Sequence, residues 1–181
     1  MVRRDYNHPC IIMYSIGNEI PETGSQKAAS WGRKMAEKIR ELDSTRFITN
    51  GVNIMMSVID RIGIIMGEIG MNLAKDGYTP VEINDLMNNT AAVMPKVATH
   101  PIAEQATRES FTMLDIIGLN YAEDVAVEQH RRYPDQIYVG TETLPHNLDK
   151  NWNLVKNNKF ILGDFAWTSW DYLGEVGVGR I

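Results

Sequence analysis

Cys10-Ile11-Ile12-Met13-Tyr14-Ser15-Ile16-Gly17-Asn18-Glu19 decides the fold class. The run from Cys10 to Ile16 is short, almost wholly apolar and rich in isoleucine, with Pro9 before it and Gly17 after. A segment of that length and content reads as a strand covered on both faces. It ends on a polar pair, Asn18-Glu19. Four more runs of the same kind follow, at Phe47–Asn50, Asp115–Tyr121, Ile137–Glu142 and Phe160–Trp167. Between them lie segments with apolar residues three and four apart. Ser25–Leu42 carries Ala28, Trp31, Met35, Ile39 and Leu42 on one stripe, with Ser25 as N-cap. Ile102–Leu114, Glu123–Tyr133 (stopped by Pro134) and Asn147–Asn157 are the other helices. Short buried strands separated by helices define an α/β fold with a parallel sheet. Residues 53–99 break the alternation. They are rich in methionine (Met55, Met56, Met66, Met94 among others) and glycine, and read as an insertion with short helices whose methionines fill the core.

A length of 181 residues sets one domain, with enough chain for a true core. The 18 basic and 23 acidic residues leave a formal charge of −5, which argues against a nucleic-acid surface or a polybasic membrane anchor. A single cysteine, Cys10, excludes an internal disulfide framework and a multi-cysteine zinc site, and reads as a buried small hydrophobe. No apolar stretch approaches the ~20 residues of a membrane span. Met1–Tyr6 lacks the apolar run of a signal peptide, so the expectation is a cytoplasmic protein.

In parallel α/β folds, ligands meet the carboxyl ends of the strands. Here those ends read Asn18-Glu19, Asn50-Gly51, Asn120-Tyr121, Thr141-Glu142 and Trp167-Thr168. Two glutamates on different strands stand at positions where a charge is costly unless it is paired. The plain explanation is that each caps the next helix or meets an arginine. The chemical explanation is that two carboxylates facing one pocket perform acid–base and nucleophilic work on an acetal, with an indole such as Trp167 stacked under the sugar. No strand is followed by a glycine-rich loop with Lys and Ser/Thr, which disfavours a phosphate site. The histidines share no metal spacing. Asp164, Asp171 and Glu175 come with no histidine in their segment, so no metal and no cofactor is expected.

Arg4-Asp5-Tyr6-Asn7-His8-Pro9-Cys10-Ile11-Ile12-Met13-Tyr14-Ser15-Ile16-Gly17-Asn18-Glu19 closely resembles the acid/base signature of glycoside hydrolase family 2. Val139-Gly140-Thr141-Glu142-Thr143 resembles that family's nucleophile strand. Gly163-Asp164-Phe165-Ala166-Trp167-Thr168-Ser169-Trp170-Asp171-Tyr172-Leu173-Gly174-Glu175 is similar to the last barrel strand and loop of its β-galactosidases. The resemblance implies Glu19 as general acid/base and Glu142 as nucleophile in retaining hydrolysis of a β-galactoside. It also implies that Asn18 bonds the sugar 2-hydroxyl, that Tyr121 reaches the nucleophile and that Trp167 floors the pocket.

A full (β/α)₈ barrel takes about 250 residues, more than this chain has. Against the family pattern, residues 1–181 read as the carboxyl-terminal portion of the catalytic TIM barrel, strands four to eight, with the insertion at about 53–99. Such an arc leaves two strand edges open. It is therefore expected to self-associate, or to join the missing N-terminal part of the same protein, and to be weakly active or inactive alone. Its expected partner is a carbohydrate substrate, not nucleic acid or membrane. Two other readings stay open: another retaining β-glycosidase of the superfamily (β-glucuronidase, β-mannosidase or endo-glucanase type), and a non-catalytic carbohydrate-binding remnant.

Overall fold

A computed structural model describes residues 1–70 and 93–167. Its sheet has five parallel strands: β1 (Met13–Asn18), β2 (Phe47–Val52), β3 (Ile117–Asn120), β4 (Tyr138–Thr143) and β5 (Ile161–Ala166). They lie side by side in the order β1-β2-β3-β4-β5. Spatial order equal to chain order is the pattern of a barrel arc, whereas a doubly wound sheet reverses direction at a switch point. The helices are α1 (Val2–Asp5), α2 (Gln26–Leu42), α3 (Ile54–Ser57), α4 (Ile62–Glu68), α5 (residues 93–98), α6 (Pro101–Phe111), α7 (Glu123–Arg132) and α8 (Leu148–Asn157). This is the expected α/β architecture of a partial (β/α)₈ barrel.

The helix starts follow from local chemistry. Ser25 Oγ accepts from the Ala28 N–H, capping α2 as its sequence foretells. Pro101 opens α6, where His100 Nδ1 accepts from the Ile102 N–H and Nε2 meets Glu68 at 3.0 Å. The main core lies between the sheet and α3–α8. Val52, Ile54, Val58, Ile65, Val97, Phe111, Ile117, Leu119, Val125 and Tyr138 are all buried there. Met66 joins them and Met94 is buried too, so these methionines fill the core as expected, while Ile59 and Ile64 of the same segment stand exposed. Its residues 71–92, with Met71 and Met87, lie outside the described residues, as do 168–181 and the Asp171–Glu175 tail.

Three expectations need correction. First, β1 begins at Met13, not Cys10, and Cys10 is exposed. Its preceding residues form turns, with His8 N–H donating to Asp5 O and Ile11 N–H to His8 O, and the Arg46 guanidinium donates to Ile11 O. Second, β1 is not covered on both faces. Only Tyr14 of its six residues is buried, because β1 is an edge of the sheet. Third, the buried line of α2 is Ala29, Gly32 and Ala36, while Trp31 and Met35 of the anticipated stripe are exposed. Small residues let α2 approach its neighbours; a Cβ on Gly32 would come within 2.7 Å of Met113 Sδ.

Candidate active site

The carboxyl ends of β1, β3 and β4 bring four of the five anticipated residues together. Asn120, the last residue of β3, is fully buried, and its Nδ2 lies 3.0 Å from Asn18 Oδ1, 3.2 Å from Glu19 Oε1 and 3.2 Å from Glu142 Oε2. One amide thus serves both glutamates. Its own oxygen accepts from Thr141 Oγ1 at 2.6 Å, which turns the nitrogen toward the carboxylates. Asn53, just past β2, donates from Nδ2 to Glu19 Oε1 at 2.9 Å while its Oδ1 caps α3 by accepting from the Met56 N–H. The Tyr121 hydroxyl donates to Glu142 Oε1. Neither glutamate meets an arginine or lysine among the described residues, and neither caps a helix, so the plain explanation for these charges does not hold.

Backbone geometry marks the same spot. Glu19 has φ 50° and Tyr121 φ 55°, the left-handed region that non-glycine residues rarely enter. Each is held by a neighbouring strand: Glu19 N–H donates to Gly51 O and Tyr121 N–H to Glu142 O, both at 2.8 Å. Strain of this kind persists where the surroundings over-determine it, and it clusters at functional sites. Gly51 is required by a close approach. A Cβ there would fall 2.4 Å from Asn18 Oδ1 and 3.1 Å from Asn120 Oδ1, so any side chain would displace the amides.

The electrostatics single out Glu142. Burial raises its pKa and the nearby Glu19 charge adds to that, while hydrogen bonds from Tyr121 and Asn18 pull it back down. The Tyr121 phenol is pushed far up by burial and by its bond to Glu142, so it stays a proton donor at any ordinary pH.

Trp167 follows β5, and its N–H donates to Thr143 O at 2.8 Å, which joins it by the main chain to the residue after Glu142. Its side chain is 45% exposed, and none of the hydrogen bonds of the described residues ties it to the carboxylates. A cavity of about 310 Å³ opens elsewhere, among Ile16, Ala28, Trp31, Gly32, Asn50 and Met113. Among the described residues no three His, Cys, Asp or Glu side chains gather as ligands for an ion. None of the described helices is long and apolar enough to cross a membrane.

Sequence reasoning places Asn120 and Thr141 at strand ends without giving either a role, and misses Asn53. The available signal was the amide-rich set of strand ends, because a site that holds two carboxylates without cations needs amide or hydroxyl donors.

Parallel strands in chain order, with two carboxylates meeting at their carboxyl ends, define the class: one arc of a (β/α) barrel. The family model described as "Glycosyl hydrolases family 2, TIM barrel domain" matches residues 1–104, and the chain belongs to that family. Among curated proteins it is similar to the Beta-galactosidase BoGH2A of Bacteroides ovatus, 23% identical over 96% of this chain and 24% of that protein. The chain thus spans about a quarter of the length of this relative. Among solved structures it resembles a glycosyl hydrolase family 2 member from Bacteroides cellulosilyticus at 26% identity and a TM-score of 0.64, covering 96% of this chain and 17% of that one. A β-D-glucuronidase from Dictyoglomus thermophilum shares the fold, with 18% identity and a TM-score of 0.53 over 99% of this chain and 29% of that one.

Proposed function

We propose that this chain carries the two reacting carboxylates of a retaining β-glycosidase acting on β-galactosides, with Glu142 as nucleophile and Glu19 as general acid and base. The observation that carries the reading is the Asn120 amide, 3.2 Å from an oxygen of each glutamate. A single NH2 group within hydrogen-bond reach of both carboxylates brings them to one spot, which supports the close carboxyl pair of a retaining enzyme.

The Glu142 carboxylate attacks the anomeric carbon, a carbon–oxygen bond to Glu142 forms, and the glycosidic bond breaks as Glu19 gives its proton to the departing oxygen. Water then attacks the same carbon, Glu19 takes its proton, and the bond to Glu142 breaks. Tyr121 supports the first step by donating to the ionised form of Glu142, against the burial that favours the protonated form. Asn18 holds the sugar 2-hydroxyl and Trp167 forms the floor of the pocket. A galactoside is favoured by the β-galactosidase relative and by the likeness of 163–175 to β-galactosidase loops.

Among the described residues, β1 and β5 are the two edges of the sheet, each with one strand neighbour. Large apolar side chains stand exposed near them, with Ile12 63%, Leu162 52% and Phe165 59% accessible. Unpaired strands and apolar surface of this kind attract further strands. We place self-association, or docking with the N-terminal strands of the barrel, in the same reading, together with low activity of the isolated chain. The one thiol, with no disulfide partner in the sequence, suits the cytoplasm.

The test is incubation with a 2-deoxy-2-fluoro aryl β-galactoside followed by peptide mass spectrometry. The reading requires a sugar adduct on Glu142 and none in Glu142→Gln. An adduct on another residue, or α-galactose as first product from the unmodified aryl galactoside, overturns it. Light scattering that shows a lone monomer without dye-binding apolar surface overturns the self-association.

A further inference from the structure

Behind the sheet, on the side of α8, three polar groups meet with no role in the chemistry described so far. Thr143, the residue after Glu142, and Asn151 of α8 are each 2% exposed, and Asp164 of β5 is partly buried beside them. Thr143 Oγ1 donates to Asp164 Oδ1 at 2.7 Å and accepts from Asn151 Nδ2 at 3.0 Å; the same Nδ2 reaches Asp164 Oδ2 at 3.2 Å. The cluster is closed within itself, so its geometry is over-determined.

We infer that Asp164, acting with Asn151 through Thr143, is a positioning residue that fixes where the Glu142 carboxylate stands relative to Trp167 and Glu19. The inference deepens the function proposed above and rests on it.

Thr143 is gripped twice from the side of β5. Its carbonyl accepts from the N–H of Trp167, just past the strand, at 2.8 Å, and its hydroxyl is tied to Asp164 within the strand, three residues earlier. Since Thr143 follows Glu142 directly, those two grips set the exit of the main chain from the glutamate. From the other side, Tyr121 N–H donates to Glu142 O, the carbonyl of that same Glu142–Thr143 peptide. The register between β4 and β5 shifts on both sides of Gly140, so the ladder is irregular between Gly140 and Thr143 and resumes only where Thr143 pairs with Ala166. The side-chain tie reinforces that pairing.

Gly140 makes the tie possible. A Cβ at that position would stand 1.9 Å from Asp164 Oδ1, so only glycine leaves the carboxylate its seat over β4. Packing alone does not account for the arrangement. A threonine, an asparagine and a carboxylate at a sheet–helix contact are readily replaced by apolar groups without loss of stability. Asn151 Oδ1 is moreover buried with no partner among the described groups, which an apolar contact would avoid. Reaction rates, by contrast, are steep in position, with about a hundredfold lost for a 1 Å error in a reacting group.

The test compares Thr143→Val, Thr143→Ser and Asp164→Asn with the wild-type chain. Three measurements are made: thermal melting, the titration of the Glu142 carboxyl by carbon-13 NMR, and kcat and KM on an aryl β-galactoside. Thr143→Val is nearly isosteric but leaves Asp164 Oδ1 and Asn151 Nδ2 each short of a partner, so it is expected to fold and to melt a few degrees below the wild type. Its Glu142 midpoint should move by about half a unit or more, because burial and the Tyr121 contact both depend on the seat of Glu142. Turnover should fall about tenfold in kcat with KM within about twofold. Thr143→Ser, which keeps the hydroxyl, should restore both. A Glu142 titration unmoved in folded Thr143→Val and Asp164→Asn overturns the inference. The NMR measurement does not need turnover, so absence of galactoside cleavage by the wild type would count against the proposed function while the positioning role is still decided.

Discussion

At the amino end of the sheet, Asp43 and Asp115 each have matched partners. Asp43 is 3% exposed; its Oδ1 accepts from the Thr45 N–H at 2.9 Å and the Thr45 hydroxyl at 2.6 Å, while Tyr14 and Arg46 face Oδ2. Asp115 Oδ2 accepts from the Ile48 N–H, and its Oδ1 from Arg40, both at 2.8 Å. At the carboxyl end, Glu19 and Glu142 share one amide, sit without a cation among the described residues, and use strained backbone at Glu19 and Tyr121. The hydrogen bonds to Thr45 hold the Asp43 carboxyl below its ordinary range, whereas burial holds the Glu142 carboxyl above it. One end spends its carboxylates on tying strands together. The other keeps two of them under-neutralised, which is what acid–base and nucleophilic work needs.

This contrast is broken most sharply by Glu142→Gln. It is expected to lower kcat on an aryl β-galactoside at least about a thousandfold while the melting temperature holds or rises, since a buried charge has been removed. A fall in melting temperature to match the lost activity would make the two ends alike. Next, Asn120→Ala removes the amide common to both glutamates and is expected to cost about a hundredfold in kcat, read by steady-state kinetics on folded protein. Tyr121→Phe sharpens the comparison through pH. The phenol stabilises ionised Glu142, so its loss raises the Glu142 pKa further, and the acidic limb of kcat/KM should move to higher pH. At the amino end, Asp115→Ala strands the Ile48 N–H and is expected to cost about 1–3 kcal/mol by urea unfolding with kcat per folded molecule unchanged. A change in kcat there would show that the amino end also serves the chemistry.

The sequence made the strand order and both glutamates legible, because a charge at the end of a buried run contradicts its surroundings. It did not show which side of α2 packs. Apolar spacing singles out Trp31 and Met35, but the distance between helix and sheet is set by the smallest residues, and Ala29, Gly32 and Ala36 come closest. The start of β1 is hidden for a related reason: composition gives an apolar run, yet the turns around His8 and the Arg46 bond to Ile11 O use up its first residues. Asn120 and Asn53 were hidden by their ordinariness. An asparagine at or just past a strand end is common, and only the three-dimensional meeting of β1, β2, β3 and β4 gives these two their work.

The left-handed backbone at Glu19 and Tyr121 also sets two evolutionary pressures against each other. Glycine in either place would relieve of the order of 1–2 kcal/mol of steric repulsion. A lineage or a laboratory screen rewarding heat resistance alone would drift toward it, gaining a sturdier scaffold while erasing the side chains the site is built from.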